Sequence, residues 1–193
     1  MFDVLKTYLG RNSLVTEEDM VLIKTLFLPK TIKKGGFLLR EGETTDMGAF
    51  VCKGFLRSYI IDNKGKEHII QFAPENWWIS DKGGVAEKGP AQFFIDAIED
   101  SDVLLISRQG HMAMMEKMPA YAAAFQAGIQ KRSSAKDKRI VHSLSSTAET
   151  RYNDFLDTYP SIAQRIPQHM LASYLGITPE TLSRIRRRAM QKK

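Results

Sequence analysis

The stretch at residues 168–187 constrains this chain more than any other. Leu171, Leu175, Ile177, Leu182 and Ile185 recur where two crossing helices and the turn between them must bury side chains. Ala172 is small where the helices touch, and Gly176 falls at the turn, where a positive φ is cheap only for glycine. Thr178 can cap the second helix. Pro179 suits that helix's first position, which needs no N–H. The spacing predicts a helix-turn-helix.

The charge is spread to match. Residues 131–193 carry 13 Lys/Arg against 5 Asp/Glu, whereas residues 1–130 carry 15 against 17. The basic excess therefore sits with the motif and implies a polyanion as its partner. At 193 residues the chain has room for one large domain or two small ones. It has no apolar run of about 18 residues, so no membrane-spanning helix is expected. The start, Met1-Phe2-Asp3-Val4-Leu5-Lys6, lacks the basic end and apolar core of a signal peptide, and the expected compartment is the cytoplasm. A single cysteine, Cys52, excludes an internal disulfide and any cluster held by several cysteines of one chain.

Upstream, the pattern changes twice. Residues 2–9 read as a short helix ended by Gly10. Thr16-Glu17-Glu18-Asp19 starts a second, carrying Met20, Ile23 and Phe27 at helical spacing and stopped by Pro29. From about residue 30 to 107, short apolar runs alternate with turn signals, of which Asp62-Asn63-Lys64-Gly65 is a strong hairpin signal. These strands predict a compact antiparallel sandwich or barrel. A short helix at residues 111–117 follows, then a longer one at about 119–142. The longer one carries Tyr121, Phe125, Ile129, Ile140 and Leu144 as a stripe that either packs on the sandwich or pairs with its copy in a second chain. Residues 143–146 read as a hinge and 148–158 as another helix, with the motif beyond.

This order of parts resembles the Crp/Fnr family of transcription regulators. The most specific match is Leu171-Ala172-Ser173-Tyr174-Leu175-Gly176-Ile177-Thr178-Pro179-Glu180-Thr181-Leu182-Ser183-Arg184. The second is the strand-glycine frame Leu39-Arg40-Glu41-Gly42-Glu43 and Val51-Cys52-Lys53-Gly54. The resemblance implies an α+β fold. It would have an antiparallel β-roll (a double-stranded β-helix like a cyclic-nucleotide-binding domain) at residues 1–118. A dimerisation helix and hinge would follow at 119–145, and a winged-helix-like helix-turn-helix domain at 146–193. With the chain stopping soon after Lys192, a wing beyond the second motif helix would be missing or very short. The resemblance further implies double-stranded DNA, a second copy of the chain and RNA polymerase as partners, with no membrane.

On the second helix, Leu182, Ile185 and Ala189 share an inward face, while Glu180 and Arg184 are four apart on another. A glutamate can accept from cytosine N4 and an arginine can bond guanine O6 and N7. The family's base-reading residues, an arginine-glutamate pair and a later arginine, fall on Pro179, Glu180 and Arg184. Proline has no side-chain donor, so one family base contact is expected to be missing. Thr178 and Thr181 are placed for phosphates, and Gln168, Ser183, Arg187 and Arg188 complete the expected DNA-contacting set, with Lys192 and Lys193 adding non-specific attraction.

The relatives that bind cyclic AMP hold its phosphate with a glycine-glutamate pair, then an arginine and a small hydroxyl residue. No arginine occurs here between Arg57 and Arg108, and Ala91-Gln92 stand where the arginine and hydroxyl would be. Ordinary cyclic-nucleotide binding is therefore not expected, since Lys82 and Lys88 lack the guanidinium fork. Trp77, Trp78, Ser80, Asp81 and Gln92 are the candidate ligand pocket for an effector the sequence does not name. His68, His111, His142 and His169 are scattered, so no metal or cofactor is expected. The absence of a nucleophile–base set argues against an enzyme. The sequence thus favours a homodimeric, sequence-specific DNA-binding regulator. The alternative is a small-ligand or cyclic-nucleotide-binding module whose DNA-binding part is vestigial.

Overall fold

In the computed structural model, which describes residues 1–11, 13–81 and 89–191, helix α1 (Phe2–Leu9) ends at Gly10. Helix α2 (Glu17–Leu26) starts on a full capping box. The Thr16 hydroxyl accepts from the Asp19 N–H, and the Asp19 carboxylate accepts from the Thr16 N–H. The helix stops at Leu26, three residues before the proline expected to end it. Phe27 already opens strand β1 (Phe27–Ile32), and Pro29 lies inside that strand. β1 is an edge strand, where a residue without an N–H is tolerated.

Seven more strands follow: β2 (Phe37–Leu39), β3 (Met47–Lys53), β4 (Leu56–Ile61), β5 (Glu67–Ala73), β6 (Trp78–Ile79), β7 (Phe94–Ala97) and β8 (Ser101–Ser107). They form two four-stranded sheets, ordered β1-β8-β3-β6 and β2-β7-β4-β5, with antiparallel pairing. Ile32, Val51 and Val103 of the first sheet and Leu56, Ile95 and Ala97 of the second share one core between them. The other face of the first sheet, with Phe27, Phe50 and Leu104, packs on Leu5, Leu9, Ile23, Met114 and Tyr121 of the helices. This is the expected β-roll. β1 and the two-residue β6 are additions to the sequence reading.

The turn between β3 and β4 depends on Gly54. Its φ is 89°, and a Cβ there would lie 2.4 Å from both the Asp100 carbonyl oxygen and the Ser101 hydroxyl.

Helix α3 (Arg108–Lys117) is capped by Ser107, whose hydroxyl accepts from the Gly110 N–H. Helix α4 (Pro119–Ser145) is longer than expected and runs through most of the predicted hinge. The hydroxyls of Ser143 and Ser145 bond back to the carbonyls of Ile140 and Val141, so these serines sit within the helix with their side-chain hydrogens satisfied along it. The break comes at Thr147, which caps helix α5 (Ala148–Thr158). Helices α6 (Gln168–Leu175) and α7 (Pro179–Gln191) are the helix-turn-helix.

The chain divides into two compact units, Met1–Ile60 with Gln71–Gln130, and Ile61–Ile70 with Lys131–Lys193. The first holds most of the β-roll. The second holds the β4–β5 hairpin tip, the latter part of α4, and α5 to α7. In the second unit, Tyr152, Phe155, Ile162, Ile166, Leu171, Ala172, Leu175, Leu182 and Ile185 are buried. Ala189, expected to pack inward, is exposed, because α7 runs past the turn that Leu182 and Ile185 bury.

Two glycine substitutions separate steric clash from backbone strain. Gly54→Ala is expected to cost at least about 3 kcal/mol, because the added Cβ meets backbone that has no room to move. Gly176→Ala, where nothing lies within 4 Å of the added atom, is expected to cost only about 1 kcal/mol of left-handed strain. Urea unfolding followed by far-UV circular dichroism checks the order.

Candidate DNA interface and sensor site

The turn between α6 and α7 is closed by backbone geometry that only a few residues permit. Gly176 takes φ 66° and ψ 36°. The Ile177 N–H donates to the Ala172 carbonyl at 3.0 Å and the Gly176 N–H to the Ser173 carbonyl at 3.1 Å. This paired closure satisfies the last carbonyls of α6 and reverses the chain in two residues. Thr178 then caps α7, accepting from the Thr181 N–H at 3.3 Å.

Leu182 and Ile185 face inward, and Pro179, Glu180, Ser183, Arg184, Arg187 and Arg188 are exposed, with Thr181 half-buried. Gln168, at the start of α6, is also exposed. The Glu180 carboxylate accepts from its own backbone N–H and from the Thr178 hydroxyl, and these bonds hold its carboxyl below the usual carboxylate range. It is therefore an ionised acceptor at neutral pH, one helical turn from the Arg184 donor. Lys192 and Lys193 lie outside the described residues.

The expected stripe on α4 splits. Tyr121 is fully buried and stacks on half-buried Phe125 with ring centres 5.9 Å apart. Ile129, Ile140 and Leu144 are 38%, 48% and 85% exposed, with Val141 beside them at 57%. The first two residues belong to the core of their own unit, and the others are exposed along α4.

The candidate pocket residues are not all brought together. Trp78 points into the helix-covered core, within 5.1 Å of the Phe50 ring and 5.6 Å of the Phe125 ring. Trp77, its neighbour in sequence, packs against the core between the sheets. Ser80 is half-buried and Gln92 exposed. Asp81 is wholly buried, and its carboxylate accepts from the N–H groups of Gln92 and, at 3.1 Å, Phe93. Ala91 is buried in the core between the sheets. Lys82, Gly83, Gly84 and Lys88 lie outside the described residues.

Arg57, just outside the arginine-free stretch, is buried and forms a two-point ion pair with Asp96 at 2.7 and 2.8 Å. Cys52 is buried, and desolvation pushes its thiol up to about 11. His111 bonds the Tyr121 hydroxyl at 2.7 Å. Burial lowers the pKa of His111 by disfavouring its charged form. Among the described residues, no group of three His, Cys, Asp or Glu side chains could hold a metal ion, and no helix is long and apolar enough to cross a membrane.

Sequence reasoning assigned no role to Ser173 or Arg139. The Ser173 hydroxyl donates to the Glu67 carbonyl at 2.8 Å and accepts from the Ile69 N–H at 3.1 Å. The Arg139 guanidinium donates to the Ile69 carbonyl at 3.3 Å and lies 4.4 Å from the centre of the Tyr174 ring. No local signal marks either residue, because their partners are about 70 to 106 positions away in sequence.

Known proteins share this fold. Residues 29–118 match the cyclic nucleotide-binding domain family. FixK2 from Bradyrhizobium japonicum superposes with a TM-score of 0.72 at 20% identity, covering 86% of each chain. A CooA mutant from Carboxydothermus hydrogenoformans gives 0.77 at 16% identity, over 98% of this chain and 84% of the other. A structure from Eubacterium rectale assigned to the Crp/Fnr family of transcriptional regulators gives 0.64 at 18% identity, over 92% and 84%. None of the curated proteins matches the sequence.

Removing the α7 cap has two linked consequences. Thr178→Ala is expected to destabilise the second unit by about 1 kcal/mol. It should also raise the Glu180 carboxyl towards its ordinary value, because one of the bonds that favour the ionised form is lost. An NMR titration of the Glu180 side chain, with a thermal melt, reads both.

Proposed function

From the premise that this chain has the fold of a Crp/Fnr-type regulator, with residues 29–118 matching the cyclic nucleotide-binding domain family, we propose that it is a homodimeric, sequence-specific DNA-binding transcription regulator. The observation that carries this reading is the α6–Gly176–α7 turn, with ionised Glu180 and Arg184 exposed on one side of α7. Glu180 accepts from a cytosine amine, and Arg184 donates to guanine O6 and N7. Thr178, Thr181, Ser183, Gln168, Arg187 and Arg188 bind phosphates and fix the register. Pro179 offers no donor, so the site read is not that of relatives with an arginine there. The exposed Ile129, Ile140, Val141 and Leu144 support pairing of α4 with its copy, which would give two recognition helices related by a two-fold axis. RNA polymerase is the macromolecular partner that this class of activity implies, and the cytoplasm its compartment.

The sensor domain is not switched by ordinary cyclic AMP. Three features support this. The stretch between Arg57 and Arg108 supplies no guanidinium. Arg57 is tied to Asp96. The N–H groups of Gln92 and Phe93, in the segment where the resemblance places the phosphate, are engaged by the internal carboxylate of Asp81. A bound phosphate would have to displace a buried anion and then stand beside it.

Arg184→Ala is expected to weaken binding by about 1–3 kcal/mol and to relax preference at one base pair. Arg188→Ala should weaken binding on all sequences and lower the salt slope by about 1. Fluorescence anisotropy on base-substituted duplexes at several salt concentrations separates the two. An equal loss for Arg184→Ala on every duplex would make Arg184 a phosphate contact. Calorimetry with cyclic AMP or cyclic GMP should give no binding heat, and saturable micromolar binding of either would overturn the sensor reading.

A further inference from the structure

The β4–β5 hairpin ends in a turn that holds itself. Gly65 donates to the Asp62 carbonyl at 2.9 Å, and the Asp62 carboxylate accepts from the N–H groups of Lys64 and Lys66 and contacts His68 Nε2 at 2.7 Å. The His68 bond first, then the two N–H groups, hold the Asp62 carboxyl down to about 2. β5 is also the edge strand of its sheet. An edge strand presents a row of main-chain donors and acceptors that need partners.

Here the helix-turn-helix supplies one of those partners, and the long helix another. A hydroxyl has one donor hydrogen and two acceptor lone pairs. Ser173 uses both kinds, towards the Glu67 carbonyl and the Ile69 N–H, and so occupies the place a further strand would take. Arg139, from α4, takes the Ile69 carbonyl and covers the Tyr174 ring, which also lies 5.6 Å from the Phe155 ring of α5. Ile69 is 3% exposed, and the bonds to it and to Glu67 are partly buried. The hairpin tip belongs to the same compact unit as α5 to α7, although in sequence it is part of the β-roll.

We infer that Ser173 is a positioning residue for DNA reading: it bonds the first helix of the helix-turn-helix to the β5 edge, with Arg139 as the second point of attachment, and so sets the angle at which α7 presents Glu180 and Arg184. The inference rests on the DNA-reading function proposed above. Specific contacts need every base edge in register, whereas phosphate attraction tolerates misalignment. A loosened α6 therefore costs specificity more than it costs overall affinity.

The test compares the full-length wild type, Ser173→Ala and Ser173→Thr. The probes are a duplex enriched from random DNA by the wild type and a scrambled duplex of the same length. Ser173→Ala is expected to bind the enriched duplex about tenfold more weakly and the scrambled one less than about twofold more weakly. Amide exchange at Ile69 should speed up by about tenfold as its acceptor is lost. Ser173→Thr, which keeps the hydroxyl, should retain both properties. An unchanged Ile69 exchange rate, or an equal loss on both duplexes, would overturn the inference. If the wild type enriches no duplex, the proposed function fails instead, and the Ile69 exchange rate still decides whether Ser173 holds the hairpin.

Discussion

The proposed reading of DNA depends on how two short helices are held at a fixed crossing. The left-handed backbone at Gly176 turns the chain, and the Ala172 carbonyl receives the Ile177 N–H. Leu171, Ala172 and Leu175 are buried on one helix and Leu182 and Ile185 on the other. Helices of 8 and 13 residues are too short to be stable alone in water, so packing must supply their order. Once Leu182 and Ile185 are committed to the core, the helical period leaves Glu180 and Arg184 outward.

Charge placement follows the same division. Arg184, Arg187 and Arg188 of α7 stay exposed, with Arg186 half-buried, where they can attract a polyanion at little desolvation cost. Arg57, in the roll, is buried and must be matched by Asp96. Asp81 shows the converse. A buried carboxylate needs donors, and it finds them in the N–H groups of Gln92 and Phe93. The β-roll thus holds a buried carboxylate of its own against the main chain at Gln92 and Phe93.

How far the sequence could be read depended on the range of the determining interaction. The helix-turn-helix was legible because caps, turn glycine and apolar spacing are local, and the helix start at Thr16 and the Asp62–Gly65 turn were legible for the same reason. β1 was hidden by Pro29, which is compatible with a strand only because that strand lies at an edge, a fact of tertiary topology. β6, at two residues, has no periodicity to detect. The extension of α4 through Ser145 was hidden because a serine run alone suggests a hinge, whereas here the Ser143 and Ser145 hydroxyls bond back along the helix. The bonds of Ser173 to Glu67 and Ile69 span 106 and 104 positions, and nothing near Ser173 announces them.

The central claim is that two copies of α7 read DNA together. Enriching bound duplexes from random DNA with the full-length protein tests it most directly. The account predicts an inverted repeat whose half-sites lie about 10 base pairs apart, centre to centre, one turn of the double helix. A single unrepeated motif, direct repeats, or no enrichment over the starting pool would contradict it.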